Sequence, residues 1–240
     1  GSGATYTFTF TPTANSTTSM SIVVQSGAFA DAFGNTNSAS NTLTATVDTA
    51  APTITSVSSS SADGSYKAGS TLLVTVVFSD TVTASTGGGV PTLLLETGTT
   101  DTAATYASGS GTNTLTFRYV VVAGNTSTDL DQQSNAALAL NGGTIRDALG
   151  NDAVLTLASP GASGSLGANK ALVIDTVAPS APTSLTATAI GGTVVANTLL
   201  ASNTNLTANA SITAGQATNG SAELLLGSAV IATDSTISSS

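Results

Sequence analysis

In one run of the chain Leu72, Val74, Val76 and Phe78 take every second position, and in another Leu115, Phe117, Tyr119 and Val121 do the same. Side chains along a strand point alternately to opposite faces, so each run presents one apolar and one polar face, a pattern that a helix cannot hold. The apolar face has to be covered, which commits the chain to stacked sheets. Shorter runs follow the same rule: Tyr6, Phe8 and Phe10; Met20, Ile22 and Val24; Leu43, Ala45 and Val47. Further strands are expected near 53–58, 91–96, 103–107, 153–157 and 170–174. Others are expected near 185–190, 206–212 and 222–226, the last turning through Gly227-Ser228 into Val230 and Ile231. Gly87-Gly88-Gly89 reads as a flexible bend, and 125–141 as a solvated crossover holding Asp129 and Asp131. Short strands, regular turn signals and no helical period predict an all-β chain.

A joint divides these strands. Val47-Asp48-Thr49-Ala50-Ala51-Pro52 returns about 127 residues later as Ile174-Asp175-Thr176-Val177-Ala178-Pro179. Each copy closes an alternating strand, sets a carboxylate at its end and reaches a proline that cannot continue the same ladder. The spacing suits tandem immunoglobulin-like β-sandwiches, one complete and two partial. The expected division is 1–50, the closing part of one module; 51–177, a complete module; and 178–240, the opening part of a third. The chain reads as excised from something longer, with no signal peptide at its Gly-Ser start. Each partial module would expose an apolar face and open strand edges. Either the parent protein supplies the missing halves, or the closing half of one chain completes the opening half of the next.

Composition narrows the function classes. Roughly a third of the residues are Ser or Thr and only 7% are charged, yet 40% are hydrophobic. The apolar residues sit in alternating runs, which argues for cores rather than a disordered stalk. Cys, His and Trp are absent. Disulfides, thiolate nucleophiles and the usual Ser-His-Asp or Cys-His sites are therefore excluded, and no enzyme activity is expected. A net charge of −9 with four basic residues speaks against nucleic acid and anionic membranes. No apolar run is long enough for a transmembrane helix, so membrane insertion is not expected.

The segments Tyr66-Lys67-Ala68-Gly69-Ser70-Thr71-Leu72 and Leu138-Ala139-Leu140-Asn141-Gly142-Gly143-Thr144-Ile145, with the Asp-Ala-x-Gly-Asn turns and the Asp-Thr-x-Ala-Pro joints, resemble the bacterial Ig-like tandem repeats of giant surface adhesins, including those of the repeats-in-toxin type. The resemblance implies an extender repeat at the bacterial cell surface or outside the cell, stacked many times and stiffened by calcium at its junctions. Its partners would be neighbouring Ig-like repeats in the same or adjacent chains. The Gly-rich calcium nonapeptides of such toxins are missing. Some surface Ig-like domains carry Lys–Asn isopeptide bonds, but Lys67 and Lys170 lie in loops or strand starts, and none is expected here.

Calcium takes six to eight oxygen ligands from carboxylates, amides and carbonyls. Asp48 and Asp175 end strands at the joints, Asp31 with Asn35 and Asp147 with Asn151 and Asp152 occupy turns, and Asp63 lies in a following loop. If the turns share a pole with a joint, two or three carboxylates converge. The plainer alternative is that Asp and Asn suit tight turns by bonding local backbone. The Asn-x-Ser/Thr sequons at Asn15, Asn125, Asn205, Asn209 and Asn219 are expected by chance in so Ser/Thr-rich a chain. The expected role is a non-enzymatic spacer. The alternatives are a glycan- or protein-binding module using Gly87–Gly89, 99–102 and 125–141, and a subunit of a surface layer or filament built by strand complementation.

Overall fold

In the computed structural model the chain divides into two compact units, Gly1–Thr176 and Val177–Ser240. Residues 9–178 are described in full, and beyond them the backbone of six strands. In chain order the first unit contains β1 (Met20–Ile22), β2 (Leu43–Ala45), β3 (Ile54–Ser59), β4 (Gly64–Tyr66), β5 (Thr71–Ser85), β6 (Thr92–Leu95) and β7 (Thr102–Ser108). These are followed by β8 (Thr112–Val120), β9 (Thr126–Ser127), β10 (Leu138–Ala139), β11 (Thr144–Arg146), the single-turn helix α1 (Leu166–Asn169) and β12 (Leu172–Asp175). Apart from α1, the regular elements among the described residues are all β.

The two alternating runs become neighbours. β5 and β8 pair antiparallel, with Leu72 opposite Tyr119, Val74 opposite Phe117 and Val76 opposite Leu115. Around them forms an antiparallel sheet in the order β10-β6-β7-β8-β5-β11, with β3 also on β5. The length of β5 explains its two partners on one side: β3 lies along Val74–Phe78, and β11 along Thr83–Ser85 after the register with β8 breaks between Val77 and Val82. A second sheet has the order β4-β12-β9. One buried cluster joins both sheets, taking Leu72, Val74, Val76 and Phe78 from β5, Leu115, Phe117 and Tyr119 from β8, Leu172 and Ile174 from β12, and Leu166 from α1. Each such side chain contributes about 1.5–3 kcal/mol by leaving water.

Several expectations need correction. No strand forms over 153–157, where only the isolated bridges of Val154 with Thr53 and Asp152 with Arg146 occur. The chain there leaves the sheet so that 158–165 can lead into α1, which the alternation gave no sign of. Ser165 caps α1, its Oγ accepting from Ala168 N. The 125–141 crossover carries β9 and β10, and it is not all solvated. Asp131 is buried and accepts from Gly161 N at 2.7 Å, Ser165 Oγ at 3.0 Å and Gln132 N at 2.9 Å. Gln132, fully buried, accepts from Leu166 N and donates to Ala158 O. A carboxylate with three donors and an amide bonded at both ends can be buried at small cost, and together they anchor the segment that α1 ends. The expected strand over Thr5–Phe10 lies mostly outside the described residues.

The glycine bend is also packed rather than free. A Cβ on Gly88 would lie 2.2 Å from Gly142 O, and one on Gly142 would lie 2.6 Å from Gly88 O. Two backbones cross there without side chains between them, and Gly142 has φ +91° besides. Asn141 closes the crossing through Nδ2 to Val90 O and to Thr92 Oγ1, both at 2.9 Å.

The 9–50 segment shares two local features with the second half of 51–176. The bridge Ala30–Thr36 matches Arg146–Asp152, and Asn15 and Gly124 both hold positive φ before the first strand that follows. By this correspondence Phe10 takes the place of Tyr119 and Phe29 that of Ile145. Tyr119 and Ile145 are 0% and 1% exposed, whereas Phe10 and Phe29 are 53% and 65% exposed.

In the second unit, β13 (Ser184–Ile190) pairs antiparallel with β16 (Asn205–Ser211), and β14 (Val194–Val195) with β15 (Thr198–Leu199). β17 (Ala222–Leu226) pairs antiparallel with β18 (Ala229–Asp234), Leu226 opposite Ala229, and the expected Gly227-Ser228 turn lies outside the described residues.

Replacing Gly142 by Ala puts a methyl group against the Gly88 carbonyl and strains a left-handed residue. Urea unfolding of the G142A chain is expected to show a loss of about 1–3 kcal/mol with an unchanged slope.

Candidate functional site

The two Asp-Ala-x-Gly-Asn turns share one bonding scheme. In the first, Asp31 Oδ1 accepts from Phe33 N and Asn35 N, both at 2.9 Å, and Oδ2 accepts from Asn35 Nδ2 at 2.9 Å. In the second, Asp147 Oδ1 accepts from Leu149 N and Asn151 N at 2.9 Å, and Oδ2 from Asn151 Nδ2 at 2.7 Å. Both turns close by backbone bonds, Asp31 N to Asn35 O and Asp147 N to Asn151 O. The carboxylate at the first position and the amide at the fifth are thus chosen for each other, and the glycine between them takes the positive φ that the turn needs.

These bonds fix the electrostatics. The Asn35 side chain, with the backbone of Asn35, Phe33 and Gly34, holds the Asp31 carboxyl below the usual aspartate range. Burial pushes the Asp147 carboxyl up, but the Asn151 side chain and the backbone donors of Asn151, Leu149 and Gly150 together outweigh it, and it too lies below that range. The Lys170 ammonium lowers Asp63. Its Nζ is 2.8 Å from Asp63 Oδ1, and Ala171 N donates to the same oxygen at 3.2 Å. Asp152 pairs with Arg146, Nε to Oδ1 at 2.6 Å.

The second turn reaches the first joint. Asn151 Nδ2 donates to the Asp48 carbonyl at 3.1 Å while still bonded to Asp147, so the Asp147 turn and the Asp48 joint do share a pole. The Asp48 carboxylate turns to its own joint, Oδ1 accepting from Ala50 N at 2.9 Å. Asp175 ends β12 opposite Thr126. Among the expected ligands the structure therefore brings Asp48, Asp147 and Asn151 together. Asp31 and Asn35 stand in their own exposed turn, and Asp63 and Asp152 each meet a basic side chain. Among the described residues no three acidic side chains form a group that could hold a metal ion.

The residue that recurs with the same task at both joints is the threonine after the aspartate. Thr49 Oγ1 accepts from Ser16 N at 3.0 Å and donates to Thr13 O at 2.6 Å. Thr176 Oγ1 accepts from Gly124 N at 3.0 Å and donates to Asn125 O at 2.9 Å. Thr176 ties the end of β12 to the turn at residues 122–125; Thr49 stands four residues beyond the end of β2 at Ala45, so that Asp48 does not end a strand as expected, and ties the joint to the turn at residues 13–16. Attention to the charged Asp hid this role, although Thr stands at the same place in both copies.

Asn125, which begins a sequon, is 3% exposed. Its Oδ1 accepts from Tyr119 Oη at 2.9 Å and Val122 N at 3.1 Å, and its amide donates to Thr97 Oγ1 and Thr102 Oγ1. The folded chain offers it to no modifying enzyme. Burial pushes the Tyr119 hydroxyl up to about 12, so it stays a donor throughout the physiological range. The 99–102 loop is tied down as well, with Thr97 N donating to Asp101 Oδ1 and Thr97 Oγ1 to Thr100 O. An open hollow of about 360 Å³ lined by Asn135, Ala136, Leu138, Leu155 and Thr156 contains no ionisable side chain.

No family model, no curated protein and no solved structure matches this chain.

Asp31, Asp63 and Asp147 all titrate lower in the folded chain than in the unfolded one. Such groups add stability at and above the ordinary aspartate pKa, and the contribution is lost as pH falls through the folded values. Thermal melts are expected to change little from neutral pH to about pH 5 and to drop steadily below about pH 4. In the D147A chain the acid drop should be shallower. A wild-type midpoint as high at pH 3 as at pH 7 would contradict the assignment.

Proposed function

We propose that the chain is a structural spacer: a run of immunoglobulin-like modules in an extracellular or cell-surface bacterial protein, whose task is to hold neighbouring modules at set distances. The observation that carries this reading is the repeated joint. The threonine after the aspartate binds the joint to a turn in both copies, residues 13–16 in one and 124–125 in the other, through one hydroxyl that donates and accepts. A module whose exit is fixed internally sends the chain onward in a set direction, which a spacer needs and a freely jointed linker lacks. The Asn151 bond to Asp48 O adds a contact from the following sandwich to the first joint.

A recognition module is supported less well. Of the three segments expected to form a binding surface, the glycine bend is used in a backbone crossing and the 99–102 loop is bonded to Thr97. Calcium remains part of the proposal at the first joint only, where the Asp147 carboxylate and the Asp48 carbonyl already sit on one amide.

Small-angle scattering from one, two and three copies of the chain joined in series tests the spacer. The maximum dimension should rise by a constant increment per copy, and a collapse to compact particles of constant shape would overturn the reading. Replacing Thr49 and Thr176 by Val removes the hydroxyl bonds at nearly constant volume. It should cost about 0.5–1.5 kcal/mol per site and broaden the distribution of dimensions. Calcium is tested by melting the chain with the ion and again with a chelator. A midpoint raised by calcium and restored by the chelator is expected, and no shift removes calcium while leaving the spacer in place.

A further inference from the structure

The polypeptide enters the 51–176 sandwich at Pro52 and leaves it at Thr176, and its first and last segments lie side by side. Val57 N donates to Gly164 O at 2.8 Å, and Asn169 Nδ2 donates to Val57 O at 2.7 Å. Further along, Asp63 receives both Lys170 Nζ and Ala171 N on one oxygen. Gly64 N then donates to Ala171 O at 3.0 Å, and β4 and β12 run parallel, with Leu172, Val173 and Ile174 opposite Gly64, Ser65 and Tyr66. Among the ladders between named strands of 51–176, β4–β12 is the parallel one, and the isolated bridge Thr53–Val154 is parallel too.

We propose that this strip is a mechanical clamp, through which tension along the chain passes from the entering segment to the leaving segment without opening the main sheet. The proposal rests on the spacer reading only for the source of the tension. β4 is loaded from its N-terminal end through β3, the first strand after Pro52, and the leaving strand β12 from its C-terminal end. In a parallel pair those ends lie at opposite ends of the ladder, so the strands are drawn past each other and all rungs are loaded together. A hairpin pulled at its open end yields one rung at a time. β3 resists in the same sense, because tension from Pro52 runs along its axis against the ladder from Ile54 opposite Phe78 to Ser59 opposite Val74. The buried Leu172 and Ile174 add apolar resistance to sliding, since drawing β12 out brings both into water.

The full chain held by its two ends in a single-molecule force experiment tests the clamp, with the step belonging to 51–176 recognised by the length released, about 3.3–3.6 Å per residue. Asp63→Ala removes two bonds across the strip from an exposed loop, and Asn169→Ala removes another. Each is expected to speed forced unfolding of that step about tenfold, because contacts broken before the barrier act on the unfolding rate. Gly142→Ala, at the backbone crossing away from the strip, serves as comparison: it lowers stability in urea but should speed forced unfolding less than either clamp variant. Rates for D63A and N169A equal to wild type, or a larger effect of G142A, would overturn the clamp. Scattering from serial copies reports on the spacer independently, so either proposal can fail alone.

Discussion

The β5–β8 ladder is the interaction on which the rest of the first unit depends. Two strands, each apolar at alternate positions, set Leu72, Val74, Val76 and Phe78 beside Tyr119, Phe117 and Leu115 on one face, and that face is large enough to require a cover. The cover comes from segments with little apolar surface of their own: three-stranded β4-β12-β9 and one turn of helix, which contribute Leu172, Ile174 and Leu166. So small a covering layer has few side chains with which to hold position. Its place is fixed instead by polar bonds to the chain around it, such as Leu130 N to Leu172 O and Asn169 Nδ2 to Val57 O. Hydrophobic burial drives the layers together, and hydrogen bonds decide the register in which they meet.

That division of labour suits a chain with so many hydroxyls and so few charges. A Thr on the wet face of a strand favours the extended backbone. A Thr or Ser at a strand end can satisfy a donor and an acceptor that the ladder leaves open. Thr176 does this after β12, Thr49 does the same at the first joint, and Ser165 does so at the start of α1, accepting from Ala168 N and donating to Asp131 Oδ2. Asn125 shows the same economy in the interior, where one amide satisfies a tyrosine hydroxyl, a backbone amide and two threonines. Such a centre could not be replaced by a single apolar side chain without leaving several of these groups unpaired in a dry site, a cost of about 1–3 kcal/mol for each.

The sequence showed the all-β class, most strands of the sandwich, the joint and the turns, because each is a local pattern. Period two reports a face, Pro stops a ladder, and Asp with Asn four residues on with Gly between makes a turn. The missing parts depend on partners distant in the chain. Asp131 looked solvated because its donors, Gly161 and Ser165, lie some thirty residues away. Gly87–Gly89 looked flexible because the Gly142 backbone against which it packs is beyond any local window. The lack of a strand over 153–157 follows from competition, since Leu157 is buried while Val154 stays 45% exposed and only isolated bridges form. At the joint the carboxylate drew notice as a ligand type, and the neighbouring hydroxyl did not, although the hydroxyl makes the recurrent contact.

The handling of charge follows from the same scarcity. Thirteen acidic residues face four basic ones, and two of the four are spent on Asp152 and Asp63, the second of these within the strip that joins the ends of the sandwich. Asp31 and Asp147 are stabilised by amide donors supplied from within five residues. A carboxylate held in this way keeps its negative charge, so the fold does not need to neutralise its acids in order to order them. The excess charge is left on the surface, where like charge keeps copies of the chain apart and salt screens it over roughly 10 Å. Apolar alternation therefore sets the layers, neutral polar groups set the joints, and the acidic residues can serve local turns while still giving the surface its repulsion.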